Sequence, residues 1–235
     1  DLLRDISSVK VYAETDKSVA VNIKDVPKYS GIPYVEINNN EPSFLEDDVD
    51  RVEEYSELDK LGRCGPAFAN VGKEIMPTSP RESIRDIRPS GWHTVKYDDI
   101  IEDRYLYNRC HLIAFMLAGE NANERNLITG TRYFNVEGML PFENQVADYV
   151  KSTGNHVLYR VRPIFKGDDL VARGVQMEAK SVEDGGKGVS FNVYCYNIHP
   201  GIRINYIDGS SQPESKVQKN KNKKNKKTKT NAEEK

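Results

Sequence analysis

Three apolar-alternating segments constrain the fold more than anything else in the chain: NHVLYRVRPIF (155–165), LVARGVQMEAKSV (170–182) and VSFNVYCYN (189–197). In the first, Val157, Tyr159, Val161 and Pro163 share one phase, the period of two by which a strand shows one face to a core. EDGGKG (183–188) separates the last two segments and reads as a hairpin turn, so those strands pair antiparallel. LPFENQVADYVKSTG (140–154) has a different period. Phe142, Val146, Tyr149 and Val150 recur at helical spacing, Pro141 suits a first turn, and Gly154 suits a stop. Strands around such a helix predict an α+β fold, with a central antiparallel sheet flanked by helices and long loops.

The rest of the chain divides by composition. Residues 1–26 alternate weakly and suit short strands or an extended arm. Residues 27–209 form the expected domain, and residues 210–235 form a lysine-rich tail that cannot bury apolar surface. Within the domain, Tyr34–Ile37 reads as a short strand between turns. EDDVDRVEEYSELD (46–59) reads as a solvated acidic face, and LGRCGPAFANVG (61–72) as loop passing into strand. PTSPRESIRDIRPSGW (77–92) is a turn-rich linker, and ENANERNLITGTRYFNVEGM (120–139) a long polar loop.

Charge is uneven. Residues 214–235 carry nine lysines against three glutamates, a net +6, so a chain of net −2 keeps −8 in residues 1–213. No apolar run approaches the roughly 18–20 residues of a membrane span. The first residue is Asp1 rather than methionine, which fits a trimmed N-terminus. Cys64, Cys110 and Cys195 allow at most one disulfide and match no zinc spacing.

Several candidate motifs dissolve on inspection. EDGGKG leads into a strand rather than a helix, so it is no phosphate loop. The acidic run lacks the glycine-centred spacing of a calcium loop. His93, His156 and His199 have no evident partners in sequence. YNRCHLIAF (107–115) is different, because polar residues follow it in a useful order: Asn126, Arg132, Asn135 and Glu143. Taken singly, each has an ordinary structural account.

Taken together, Asn108-Arg109-Cys110-His111 with Asn126, Asn135 and Glu143 resembles the Asp-Arg-Gly-His motif and its followers in the DNA/RNA non-specific endonucleases of the ββα-metal (His-Me finger) superfamily. The likeness is greatest to the secreted, streptodornase-like nucleases of Gram-positive bacteria. It extends from Tyr29 to about Tyr206 and includes YSGIPYVEINNNEPSF, YSELDKLGRCGPAFANVG, the approach to Ser90-Gly91-Trp92, and the last strand pair. Two positions depart from the family pattern, Asn108 for aspartate and Cys110 for glycine.

The resemblance implies a ββα-metal nuclease fold and a secreted, Mg²⁺-dependent, sugar-non-specific endonuclease acting on DNA and RNA, with Mn²⁺ able to replace Mg²⁺. It implies His111 as general base, Asn135 as metal ligand and Glu143 as orienter of metal-bound water, with Asn126 as loop support or orienter. Arg109 is expected to fork onto phosphate oxygens, and Arg132 and Arg88 to contact substrate. The expected basic strip is Arg81, Arg85, Arg88, Arg109, Arg125 and Arg132. None of these groups addresses base edges, so cutting independent of sequence follows. Two other classes remain open: a catalytically degenerate nucleic-acid-binding module using the basic tail, and a scaffold without chemistry.

Overall fold

In the computed structural model, which describes residues 20–214, the alternating segments build a six-stranded, wholly antiparallel sheet. Its strands are β1 (Tyr34–Glu36), β2 (Glu53–Tyr55), β3 (Ala67–Val71), β6 (Val157–Ile164), β7 (Gly174–Ser181) and β8 (Ser190–Tyr196), in the order β1-β8-β7-β6-β3-β2. The hairpin turn read at EDGGKG is present between β7 and β8, and Lys180 pairs with Ser190 across it. Asp184 makes that turn, accepting hydrogen bonds from the backbone N–H groups of Gly186, Lys187 and Gly188 and from Tyr149 Oη.

Two elements lie on this sheet. A two-stranded ribbon pairs β4 (Tyr107–His111) with β5 (Leu127–Thr131), and a four-residue helix, α1 (Phe115–Ala118), lies between them in sequence. A π-helical turn, Phe134–Met139, then runs directly into α2 (Leu140–Thr153). Pro141 lies in the first turn of α2, and Gly154 caps its end in the left-handed region at φ 78°, as the residue types require. Val146, Ala147 and Val150 of α2 meet Tyr159, Val161 and Met177 of the sheet in the main core. A second small ribbon, β9 (Ile202–Ile204) with β10 (Ser211–Pro213), closes the described chain.

Four sequence expectations change. The stretch 120–139 is not a plain loop, because β5 and the π turn lie within it. All five β5 residues are buried, so the alternation that would have revealed the strand is absent. The acidic run is only partly solvated: Asp48 is buried and paired with Arg51 at 2.6 Å. The tail expected from residue 210 starts later, since Ser211–Pro213 pair with β9. Of the N-terminal arm, residues 20–26 form no strand, and Val21, Ile23 and Val26 pack beside Tyr194 and Tyr196. The remainder of the arm and the lysine tail lie outside the described residues.

Asn197, fully buried, fixes the ribbon to the sheet. Its Oδ1 accepts from Thr131 N–H at 2.9 Å, and its Nδ2 donates to the carbonyls of Thr129 (3.0 Å) and Ala172 (2.9 Å). The end of β4 and the start of α2 are thereby held over one sheet face.

Candidate active site

Alternation along β4 sorts the opening motif. Arg109 and His111 share one side of the strand, while Cys110 faces the main core. Gly130 on β5 makes room for Cys110, since a Cβ there would stand 2.5 Å from Cys110 Sγ and 2.7 Å from the Phe134 ring. The departure from glycine at position 110 is thus absorbed by a glycine across the ribbon.

His111 is 7% exposed. Its Nε2 lies 3.2 Å from the Asn121 carbonyl, which can only accept, so Nε2 carries the hydrogen. Nδ1 is then the ring's acceptor, and Arg81 Nη2 donates to it at 3.4 Å. Burial first, then the Arg81 charge, pushes the His111 pKa down to about 4. The imidazole is therefore neutral at physiological pH, the form a base must have.

Glu143 is 6% exposed and receives no hydrogen bond from the described residues. Burial raises its carboxyl to about 8, and Arg81 pulls in the opposite direction. Arg81 thus couples electrostatically to both His111 and Glu143, and it is the site residue that the sequence placed only in a general basic strip. Asn135 stands on the π turn, half-buried, and its side-chain amide makes no hydrogen bond among the described residues. A π turn takes up more residues than the 3.6 of an α turn, so Asn135 and Glu143, eight residues apart, are about two turns apart along one side of the helical stretch.

The other expected residues have different surroundings. Asn126, fully buried, uses both ends of its amide on Ile113: Oδ1 accepts from Ile113 N–H at 2.8 Å, and Nδ2 donates to its carbonyl at 2.9 Å. It fixes the turn after His111 and, fully buried, presents nothing to substrate. Asn126→Ala strands both backbone groups of Ile113, and we expect a loss of about 2–4 kcal/mol in urea-unfolding free energy. Arg109 Nε and Nη2 donate to the carbonyls of Ile87 (2.5 Å) and Arg85 (2.6 Å), and its guanidinium lies 4.1 Å from the Trp92 ring centroid. It holds the 85–88 loop rather than presenting an open fork. Arg132 pairs with Asp103 at 2.6 Å, and Arg125 with Glu57 at 2.8 Å. Arg88 is exposed beside Arg109, whose pKa it helps to depress after burial. The open cations of the expected strip therefore reduce to Arg81, Arg85 and Arg88, which make no ion pairs among the described residues.

Among the described residues no three His, Cys, Asp or Glu side chains gather as a metal cluster. The three cysteines are free and buried. What the site offers a cation is one amide oxygen and, on the same helical stretch, the buried Glu143 carboxyl, whose ionised form a nearby cation would favour. That sparse oxygen set suits a hard divalent cation that keeps most of its waters better than a soft metal held by its own cage.

A family model for DNA/RNA non-specific endonuclease matches residues 44–183. NucA from Streptococcus agalactiae, solved with a magnesium ion bound, is 26% identical. The match covers 78% of this chain and 91% of that one, with a TM-score of 0.66. The same protein solved without metal gives 27%, 82%, 92% and 0.68. The Sda1 nuclease, solved with a zinc ion, is 29% identical over 69% of this chain and 80% of its own, with a TM-score of 0.58. Among curated proteins no significant match is found.

Proposed function

Because the chain belongs to the DNA/RNA non-specific endonuclease family and is a nuclease, we propose that it hydrolyses phosphodiester bonds in DNA and RNA with His111 as general base and one Mg²⁺ as cofactor. The observation that carries this reading is the His111 ring. One nitrogen donates to the Asn121 carbonyl, and the other is a lone pair at a buried position that accepts one long hydrogen bond, from Arg81 Nη2 at 3.4 Å. That geometry suits taking a proton from water.

Asn135 would hold the cation, with Glu143 orienting the water around it. A bound Mg²⁺ would neutralise phosphate charge and stabilise the departing O3′. Mn²⁺ has similar oxygen preferences and should substitute. Arg81 stands where a guanidinium can take a phosphate oxygen as substrate displaces it from Nδ1. Arg85 and Arg88 extend positive charge along the same loop, and Arg109 keeps that loop in place. These groups address phosphate alone, which supports cutting independent of base sequence in either sugar. Action outside the cell belongs to the same proposal and rests on the resemblance to secreted nucleases.

The test is nicking of supercoiled plasmid and cleavage of a single-stranded RNA. Mg²⁺ should support both, and EDTA should abolish both. Intact plasmid after incubation with excess enzyme in Mg²⁺ would sink the reading. Cleavage that survives EDTA would remove the metal from it.

A further inference from the structure

A cavity of about 270 Å³ opens between three loops, with Leu58, Ile87 and Pro89 as apolar walls and Asp86, Arg88 and Glu124 as polar lining. Each wall is held by named contacts. Arg109 takes the carbonyls of Arg85 and Ile87, and Thr129 of β5 donates to the Ser90 carbonyl at 2.9 Å. Opposite them, Leu58 packs against the main core. The Asp59 carboxylate accepts from the N–H groups of Leu61 and Arg63, both at 2.9 Å, and so shapes the loop that brings Gly62 to the wall. The third loop is tied down at Glu124, whose carbonyl accepts from Cys64 Sγ at 3.3 Å. The cavity is therefore built into the fold rather than opened by a loose surface.

It adjoins the nuclease site on two sides. The Ile87–Arg88 wall belongs to the loop that Arg109 anchors, and Arg109 precedes His111 on the same side of β4 by two residues, about 7 Å. The Glu124 wall continues from Asn121, whose carbonyl orients the His111 ring. A strand with its scissile phosphate at His111 brings a flanking nucleotide to this cavity. The volume lies just below the roughly 300–1,000 Å³ of ordinary small-molecule sites, which suits one planar base among apolar walls.

The polar lining says which base. Asp86 and Glu124 are exposed, and their carboxylates make no hydrogen bond or ion pair among the described residues. Carboxylate oxygens accept, so they fit a base edge that donates, as the N4 amino group of cytosine does. Uracil and thymine set O4 at that position, an acceptor against an acceptor. Arg88, also exposed, carries the opposite charge and can take the phosphate of the same nucleotide.

We propose that this cavity is a nucleobase subsite, in which an unpaired base bearing an exocyclic amino group inserts beside the cut with that group donating to Glu124 and Asp86. The inference rests on the nuclease reading for its substrate and adds to it a bias toward amino-bearing bases in single strands. Paired bases in a duplex must leave the stack to enter, so intact plasmid hides the bias.

The probes are short labelled oligodeoxycytidylate and oligodeoxyuridylate, whose rings are alike and whose edges differ. Wild type in Mg²⁺ should cleave the cytosine oligomer with about tenfold higher kcat/KM, near the low end of what a hydrogen-bonded base edge contributes. In Glu124→Gln or Asp86→Asn the ratio should fall to within about threefold, and in the double variant to within about twofold. Both side chains are exposed, so these changes leave the packing intact. His111→Ala allows binding to be read without cutting: fluorescence anisotropy should show the cytosine oligomer bound about tenfold tighter, and Glu124→Gln in that background should remove most of the difference. Cleavage and binding without preference in the wild-type cavity would overturn the subsite while leaving the nuclease reading intact, and so would a tenfold preference that persists in the double variant. Tighter binding of the cytosine oligomer by a protein that cuts neither probe would support the subsite and sink the nuclease reading instead.

Discussion

His111→Ala should lower the rate of plasmid nicking about 10³-fold, within the 10²–10⁴ that a positioned general base contributes. The substitution removes the Nδ1 lone pair and leaves Arg81, Asn135 and Glu143 in place. Added imidazole should restore part of the activity, because the missing group is then supplied from solution. A variant that nicks at the wild-type rate would show that the base lies elsewhere. The same residue fixes a pH dependence of stability. The folded pKa of about 4 lies below the ordinary 6.5, so between those values the unfolded chain binds a proton that the folded chain refuses. Stability tied to His111 is therefore fully present above 6.5 and is lost as pH falls toward about 4. Urea unfolding at pH 7 and pH 5 should show a smaller acid loss for His111→Ala than for wild type. An equal loss would place the charge-sensitive group elsewhere.

The sheet was legible because one of its faces is buried everywhere by the same kind of residue. Val157, Tyr159 and Val161 announce a strand by period alone, and α2 announces itself by period, Pro141 and Gly154. The ribbon was half legible. β5 hides in an Asn- and Gly-rich stretch because Leu127-Ile128-Thr129-Gly130-Thr131 is buried on both sides and holds its shape by pairing with β4. No local pattern encodes a partner that lies twenty residues upstream. The π turn was hidden for a related reason: a helix with one extra residue per turn has no apolar period that separates it from loop.

The site divides the same way. His111, Asn135 and Glu143 are candidates that the sequence offers as residue types at a spacing. Arg81 is not among them, because it enters from an irregular loop thirty residues before His111, where nothing in the sequence says which side of the molecule the loop will cover. Arg109 and Arg132 show the converse limit. A guanidinium in a motif suggests a phosphate fork, but the carbonyls of Arg85 and Ile87, and the carboxylate of Asp103, are contacts that only the fold supplies. Asn126 differs again: its residue type was informative, and its partner turned out to be backbone.

Asn135→Ala should be the second large effect, and it isolates the metal from the base. The side-chain amide makes no hydrogen bond among the described residues, so its removal strands no protein partner, and Tm should stay within about 3 °C of wild type. Activity should nevertheless fall about 10²–10³-fold at fixed Mg²⁺, the several kcal/mol that a bound cation supplies to a developing phosphate charge. Because Mg²⁺ has one candidate side-chain oxygen on this turn, the loss should be offset in part by raising Mg²⁺, whereas the His111→Ala loss should not respond. Asn135→Asp gives the sign. A carboxylate adds charge to a site that already buries Glu143, so metal should bind more tightly, while the extra negative charge opposes the incoming phosphate. A metal titration of nicking by the two variants separates these effects. If Asn135→Ala shows the wild-type Mg²⁺ dependence and rate, Asn135 holds no cation, and the ligand must be sought on the Arg81 side of the site.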